Sequence, residues 1–206
     1  MDATPRMYSL KPFIFHVCLL SLSLAFILTA CSGTSNDNNI INANFSVTIT
    51  GGYETDPRDN GRPVVLIAAA LDAPPEVFRE AFSHVTPSPA GQEPDPAQVQ
   101  LNKEALLNVL SPYGVTNDRL DEVSNYYRFN GSVGETWTRT PAKVAIVVTD
   151  GKLTSIKIIN GGSGYSSTPT IIISGAEGVT ATAVISYSTD FDTNGSVTAI
   201  TLNTTK

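Results

Sequence analysis

Asp190-Phe191-Asp192-Thr193-Asn194-Gly195 sets three oxygen-bearing side chains at alternate positions and ends on a glycine. Such a run can wrap a hard cation such as calcium, with the glycine making the sharp turn. A full loop of that kind carries a bidentate Glu six residues past the glycine, where Thr201 stands instead. The favoured reading is a hairpin loop in which Asn-Gly supplies positive φ, with weak calcium binding as the alternative. Tyr126, Arg128 and Trp137 could line a groove for a sugar or a peptide, because ring faces and a guanidinium suit that work. Core packing and cover for a helix end are the commoner use of such residues, Tyr127 included. His84 could serve as a base, although no nucleophile is positioned for it. Asp121 and Glu122 are adjacent on a predicted helix, point in different directions and make a poor glycosidase pair. Asp56 and Asp59 fall on a turn where carboxylates cap backbone donors. Gly-rich phosphate loops, zinc-ligand spacings and G-x-S-x-G are missing from the sequence. No catalytic residue is expected.

The cysteines carry a firmer signal. Residues Phe13 to Leu28 are apolar except for His16, Ser21 and Ser23, with Arg6 and Lys11 ahead of them. A membrane-spanning helix needs roughly 20 apolar residues, so the run is short for a span and fits the h-region of a secretory signal. It ends in Leu28-Thr29-Ala30-Cys31, which resembles the lipobox of bacterial lipoproteins: aliphatic, small, small, cysteine. The resemblance implies that the Cys31 sulfur receives a diacylglyceryl group, that the chain is cut before it, and that the new amino terminus is acylated. A plain signal peptide or a signal anchor is the alternative. Several acyl chains acting together hold a protein on a bilayer where one does not. Ser32, in place of an aspartate, implies the outer membrane as the destination in a Gram-negative envelope. Cys18 would leave with the signal, so the mature chain is expected to have no disulfide and no thiolate metal site.

Removal of residues 1–30 takes away Asp2, Arg6 and Lys11, a net charge of +1, and moves the chain from −6 to −7. An acidic chain without a basic cluster argues against nucleic acid as a partner. The expected partners are the bilayer through Cys31 and an envelope protein or glycan.

The elements that must hold these residues read in order. Residues 31–44 are polar and low in complexity, a tether expected to reach roughly 20 Å. Phe45 to Thr50 alternates like a half-buried strand. Val64 to Leu71 reads as a buried helix, and Pro75 opens a second with Phe78, Phe82 and Val85 on one face. Asp95 and Pro96 start a third helix, with Leu101, Ala105 and Val109 in one stripe and Leu106 and Leu110 beside it. Thr116 or Asn117 caps a fourth, with Leu120, Val123 and Tyr127 inward. From Lys143 the period returns to two: Val144 to Val148, a turn at Asp150-Gly151, Leu153 to Ile159, and strands at 170–174, 180–187 and 196–202.

Gly151-Lys152-Leu153-Thr154-Ser155-Ile156-Lys157-Ile158 is echoed 44 positions on by Gly195-Ser196-Val197-Thr198-Ala199-Ile200-Thr201-Leu202. Self-similarity at such a period marks an array or a stacked β unit, and the repeat is expected to be partial, one unit and the opening strand of a second. With Gly161-Gly162-Ser163-Gly164-Tyr165 and the Pro169-led strand, residues 143–203 resemble the GxGY β-repeat module of bacterial surface and phage tail-type proteins. That resemblance implies a structural or adhesive role.

The expectation is an α+β chain: signal peptide 1–30, tether 31–44, a helical module over 45–141 with three or four short helices and an N-terminal strand, and an antiparallel β domain over 142–206. Its expected role is non-enzymatic binding or scaffolding at the envelope. An envelope enzyme acting on glycans and an accessory subunit of an envelope complex are the alternatives.

Overall fold

The computed structural model describes residues 45–88, 92, 95–131 and 134–204. Cys31, its apolar run and the tether lie outside the described residues. The fold is α+β, with four α-helices among the described residues, ahead of most of the strands. The helices are α1 (Val64–Ala70), α2 (Pro75–Ser83), α3 (Pro96–Leu110) and α4 (Asn117–Tyr126). The strands are β1 (Ser46–Thr50), β2 (Lys143–Thr149), β3 (Lys152–Asn160), β4 (Thr170–Ser174), β5 (Val179–Ser186) and β6 (Ser196–Thr204). None of the described helices is long and apolar enough to cross a membrane.

The strands pair antiparallel as β2 with β3, β5 with β6, and β1 with β4. Between these ladders β3 lies beside β6, β4 beside β5, and β1 touches β2. The six strands thereby run round one core of Ile156, Tyr165, Ile171, Ala183 and Val197. The order repeats itself, because β2-β3-β4 and β5-β6-β1 take equivalent places around it.

The two ladders share a detail at equivalent positions. In β3, Thr154 has no partner across the ladder, and its hydroxyl donates to the Val147 carbonyl at 3.2 Å. In β6, Thr198 is the extra residue and donates to the Val184 carbonyl at 3.4 Å. Both copies thus carry the same β-bulge at the same place, a device that sharpens strand twist. Ser46-Val47-Thr48-Ile49-Thr50-Gly51 and Thr170-Ile171-Ile172-Ile173-Ser174-Gly175 match across the β1–β4 ladder, with Thr48 opposite Ile172 at its centre. The strand at 46–50 therefore completes the second copy of the β unit. It belongs to the β body and not to the helical module that follows it in sequence, because its apolar face is buried only against β4 and the strand core.

Residues 51–142 form an insert, and its two ends meet on the GxGY turn. The Ser167 amide donates to the Gly52 carbonyl at 3.1 Å, and the Ser166 hydroxyl to the Glu54 carbonyl at 2.8 Å. From the other end, the Trp137 indole N–H donates to Gly164 at 2.9 Å, and the Ala142 amide to the Tyr165 hydroxyl at 2.9 Å. Tyr53 stacks on Tyr165 with centroids 4.9 Å apart.

Inside the insert, Leu66, Ala68, Phe78, Ala81, Leu110, Leu120, Val123 and Tyr127 make a second core. The caps match the sequence. Pro75 is at the first position of α2, the Asp95 carboxylate accepts from Ala97 at 2.9 Å, and Thr116 caps α4. Two expectations need correction. Leu101 is 58% exposed, so α3 packs through Leu106, Leu107, Val109 and Leu110 and not through Leu101. Val85 lies beyond the end of α2, which is capped at His84.

Candidate functional site

The turn before α1 is built from charges. Asp56 caps the short 3-10 turn Pro57–Asp59 by accepting from the Arg58 amide at 2.9 Å, and its carboxylate meets the Arg58 guanidinium at 2.8 Å. That contact holds the Asp56 carboxyl down at about 2. Asp59 is buried and takes a two-pronged contact from Arg79 of α2, at 2.8 Å on each oxygen. Glu76 reaches Arg79 at 2.6 Å and Arg58 at 3.4 Å. Arg58 and Arg79 are therefore satisfied.

Arg62 is not. Its guanidinium lies over the Phe82 ring, 4.2 Å from the centroid, and among the described residues its one hydrogen bond runs at 3.4 Å to the Asp59 carbonyl. Among the described residues no carboxylate comes within ion-pairing distance of it. Half-buried, it has its pKa lowered by desolvation, with the Asp59 charge opposing. Its remaining N–H groups reach solvent, since among the described residues no buried side-chain nitrogen or oxygen lacks a partner. They open on a cleft of about 310 Å³ floored by Val64, Phe78 and Phe82 and edged by Arg58, Asp59, Arg79 and Ser83. A second hollow of about 200 Å³ shares Arg62, Phe78 and Phe82 and runs on to Leu106, Arg128 and Phe129. Gly61, just before Arg62, packs against the Phe129 ring. At φ 87° it takes a conformation that side chains resist, and a Cβ there would stand 2.4 Å from the Phe129 ring.

The residues singled out by sequence fall elsewhere. Trp137 is buried in the insert core with its indole N–H spent on Gly164, so it lines no groove. Tyr126 stacks flat on Phe191 at 4.1 Å, and Arg128 is exposed with Glu135 3.4 Å away. Only Arg128 of the three reaches the hollow, and they share no surface. A large ring with one donor gains more from burial against a carbonyl than from solvent.

Asp190, Asp192 and Asn194 do not converge either. Asp190 accepts from the Asp192 amide at 2.9 Å in an exposed turn. Asn194 is fully buried and points the other way. Its amide donates to the Leu66 carbonyl and the Tyr127 hydroxyl, each at 2.8 Å, while its oxygen accepts from Ser188 at 3.2 Å. Of Asn-Gly, only Gly195 has positive φ. Among the described residues no three acidic, histidine or cysteine side chains gather as a metal-holding group. No protein family, curated protein or solved structure matches the chain. The geometry stands alone.

His84 is exposed, with Glu80 3.2 Å from its Nε2. Asp121 pairs with Lys103 at 2.8 Å, and Glu122 with Arg119 at 2.5 Å. Sequence reasoning missed Arg62 and Arg119. Arg119 also reaches the Ala70 carbonyl at 2.9 Å and the Thr189 carbonyl, and so ties α1, α4 and the β5–β6 loop together. Neither has a sequence signal beyond its charge. For Arg62, the flanking Gly61 and Pro63 hinted only at a turn.

Proposed function

We propose that this chain is a lipid-anchored envelope protein that binds a ligand without transforming it, using a cleft on its helical insert. The Arg62 cleft carries this reading: a half-buried guanidinium with open N–H groups over an apolar floor is a recognition element awaiting an acceptor. The lipobox resemblance at Cys31 supports the anchor. The GxGY resemblance supports a structural role for the β body, which holds both ends of the insert on one turn. Asp56, Asp59, Asp121 and Glu122 are each engaged by an arginine or a lysine, which supports a structural use of these carboxylates.

The test is a thermal-shift screen of the mature chain against small anions, peptides and envelope glycans, with each hit recovered and weighed by mass spectrometry. The expected result is at least one compound that raises the melting temperature and returns unchanged. Hits recovered as products would contradict the proposal, and so would a screen without hits. In cells, a clickable palmitate analogue should label the chain and fail to label Cys31→Ser; equal labelling would remove the anchor.

A further inference from the structure

We infer that the Arg62 cleft takes a single carboxylate carried on an apolar, ring-sized group, with the guanidinium forked onto the carboxylate and the group lying on Phe78 and Phe82. This rests on the binding role proposed above and names the ligand class. Three observations select it.

The first is the state of Arg62. Its guanidinium carbon lies over the Phe82 ring, 4.2 Å from the centroid, and one N–H donates to the Asp59 carbonyl, which leaves the other N–H groups without a carboxylate partner among the described residues. A planar fork held in this way matches the two oxygens of a carboxylate. Partial burial strengthens such a contact, because water competes less for it. The second is the charge tally. Arg58, Arg62 and Arg79 stand against Asp56, Asp59 and Glu76, so the cluster is balanced before a ligand arrives. A monoanion meets one guanidinium with no carboxylate of its own. A phosphate dianion would bring twice the charge up to the buried Asp59 carboxylate and be repelled by it. The third is shape. The floor is Phe82 with the nearly buried Phe78 ring beside it, tilted 31° with centroids 5.9 Å apart, and Phe129 extends the apolar lining beyond Arg62. Such walls suit a flat apolar body that can stack on them.

Two sources share this chemistry: a free aryl acid and the carboxyl end of a peptide with an aromatic last residue. The experiment titrates the mature chain by NMR with benzoate, N-acetylphenylalanine, benzamide and inorganic phosphate. Expected is saturable binding of one or both carboxylates, the tighter naming the source, with benzamide and phosphate at least about tenfold weaker. Arg62→Gln should weaken the carboxylates by a similar factor, and Arg58→Gln on the rim by much less. Should Arg62→Gln fail to fold, Ser83→Trp keeps Arg62 and fills the cleft mouth, and it too should lose binding. Benzamide or phosphate binding as tightly as benzoate overturns the inference, as does carboxylate binding that ignores both variants. If no carboxylate binds while another compound from the screen does, the ligand class is wrong and the binding role stands. If nothing binds at all, both fall.

Discussion

At the scale of single residues, the side chains most conspicuous in the sequence serve the frame. Asn194 belongs to a run that resembles a cation loop, yet its carboxamide bridges the β body to α1 and α4. Nothing in the spacing of Asp190, Asp192 and Asn194 distinguishes an amide that faces solvent from one that faces a core. The distinction comes from Leu66 and Tyr127, both far away in sequence. Asn194→Ala leaves the Tyr127 hydroxyl and the Ser188 amide short of a partner, and should cost about 2 kcal/mol or more. Urea unfolding measures it, and a loss under 0.5 kcal/mol would mean the bridge is idle. The tyrosines make a second prediction. Burial pushes Tyr53 and Tyr127 up to about 12, from an ordinary value near 10. The unfolded chain then gives up those protons first. Stability should be complete below about pH 10 and decline as pH rises toward 12. Urea midpoints read between pH 9 and 11.5 would contradict this if they stayed level.

At the scale of elements, the sequence was legible wherever periodicity and caps agree. Pro75, Asp95-Pro96 and Thr116 start helices where their chemistry says they should, and Asp150-Gly151 turns a hairpin with both residues at positive φ. Periodicity misleads on α3, because Leu101 repeats at helical spacing and still finds no neighbour; an apolar stripe says which residues share a face, not whether anything covers it. The two hairpins also diverge in a useful way. Asp150-Gly151 joins β2 to β3 in a tight turn, whereas residues 187–195 join β5 to β6. The longer loop sends Phe191 against Tyr126 and Asn194 into the core, so extra length in one copy of the repeat became the latch for the insert. Gly61 sets how closely Phe129 approaches the turn before α1. Gly61→Ala should displace the Phe129 ring and destabilise the chain by about 1–3 kcal/mol, since it adds both strain and a clash. An unchanged melting temperature would show that Phe129 swings away freely.

At the scale of the whole molecule, the β body is a twice-repeated three-stranded unit whose last strand comes first in the chain, with the helices inserted between that strand and the rest. The 44-residue echo of β3 in β6 is plain in the sequence. The echo of β4 in β1 is also written there, but alternation alone does not name a strand's partner, and the helical insert separates the two matching segments. The candidate cleft was the least legible feature. It depends on Arg62 being the one arginine of three whose carboxylate is taken by a neighbour, which follows from Arg79 reaching Asp59 across two elements. That assignment is open to direct chemical test. Phenylglyoxal modifies accessible, unpaired guanidinium groups, and peptide mass mapping reads each arginine separately. Arg62 should react ahead of Arg79 and be shielded by saturating benzoate, with Arg79 unreactive either way. Arg62 labelled at the same rate with and without benzoate, or Arg79 labelled first, would contradict the account.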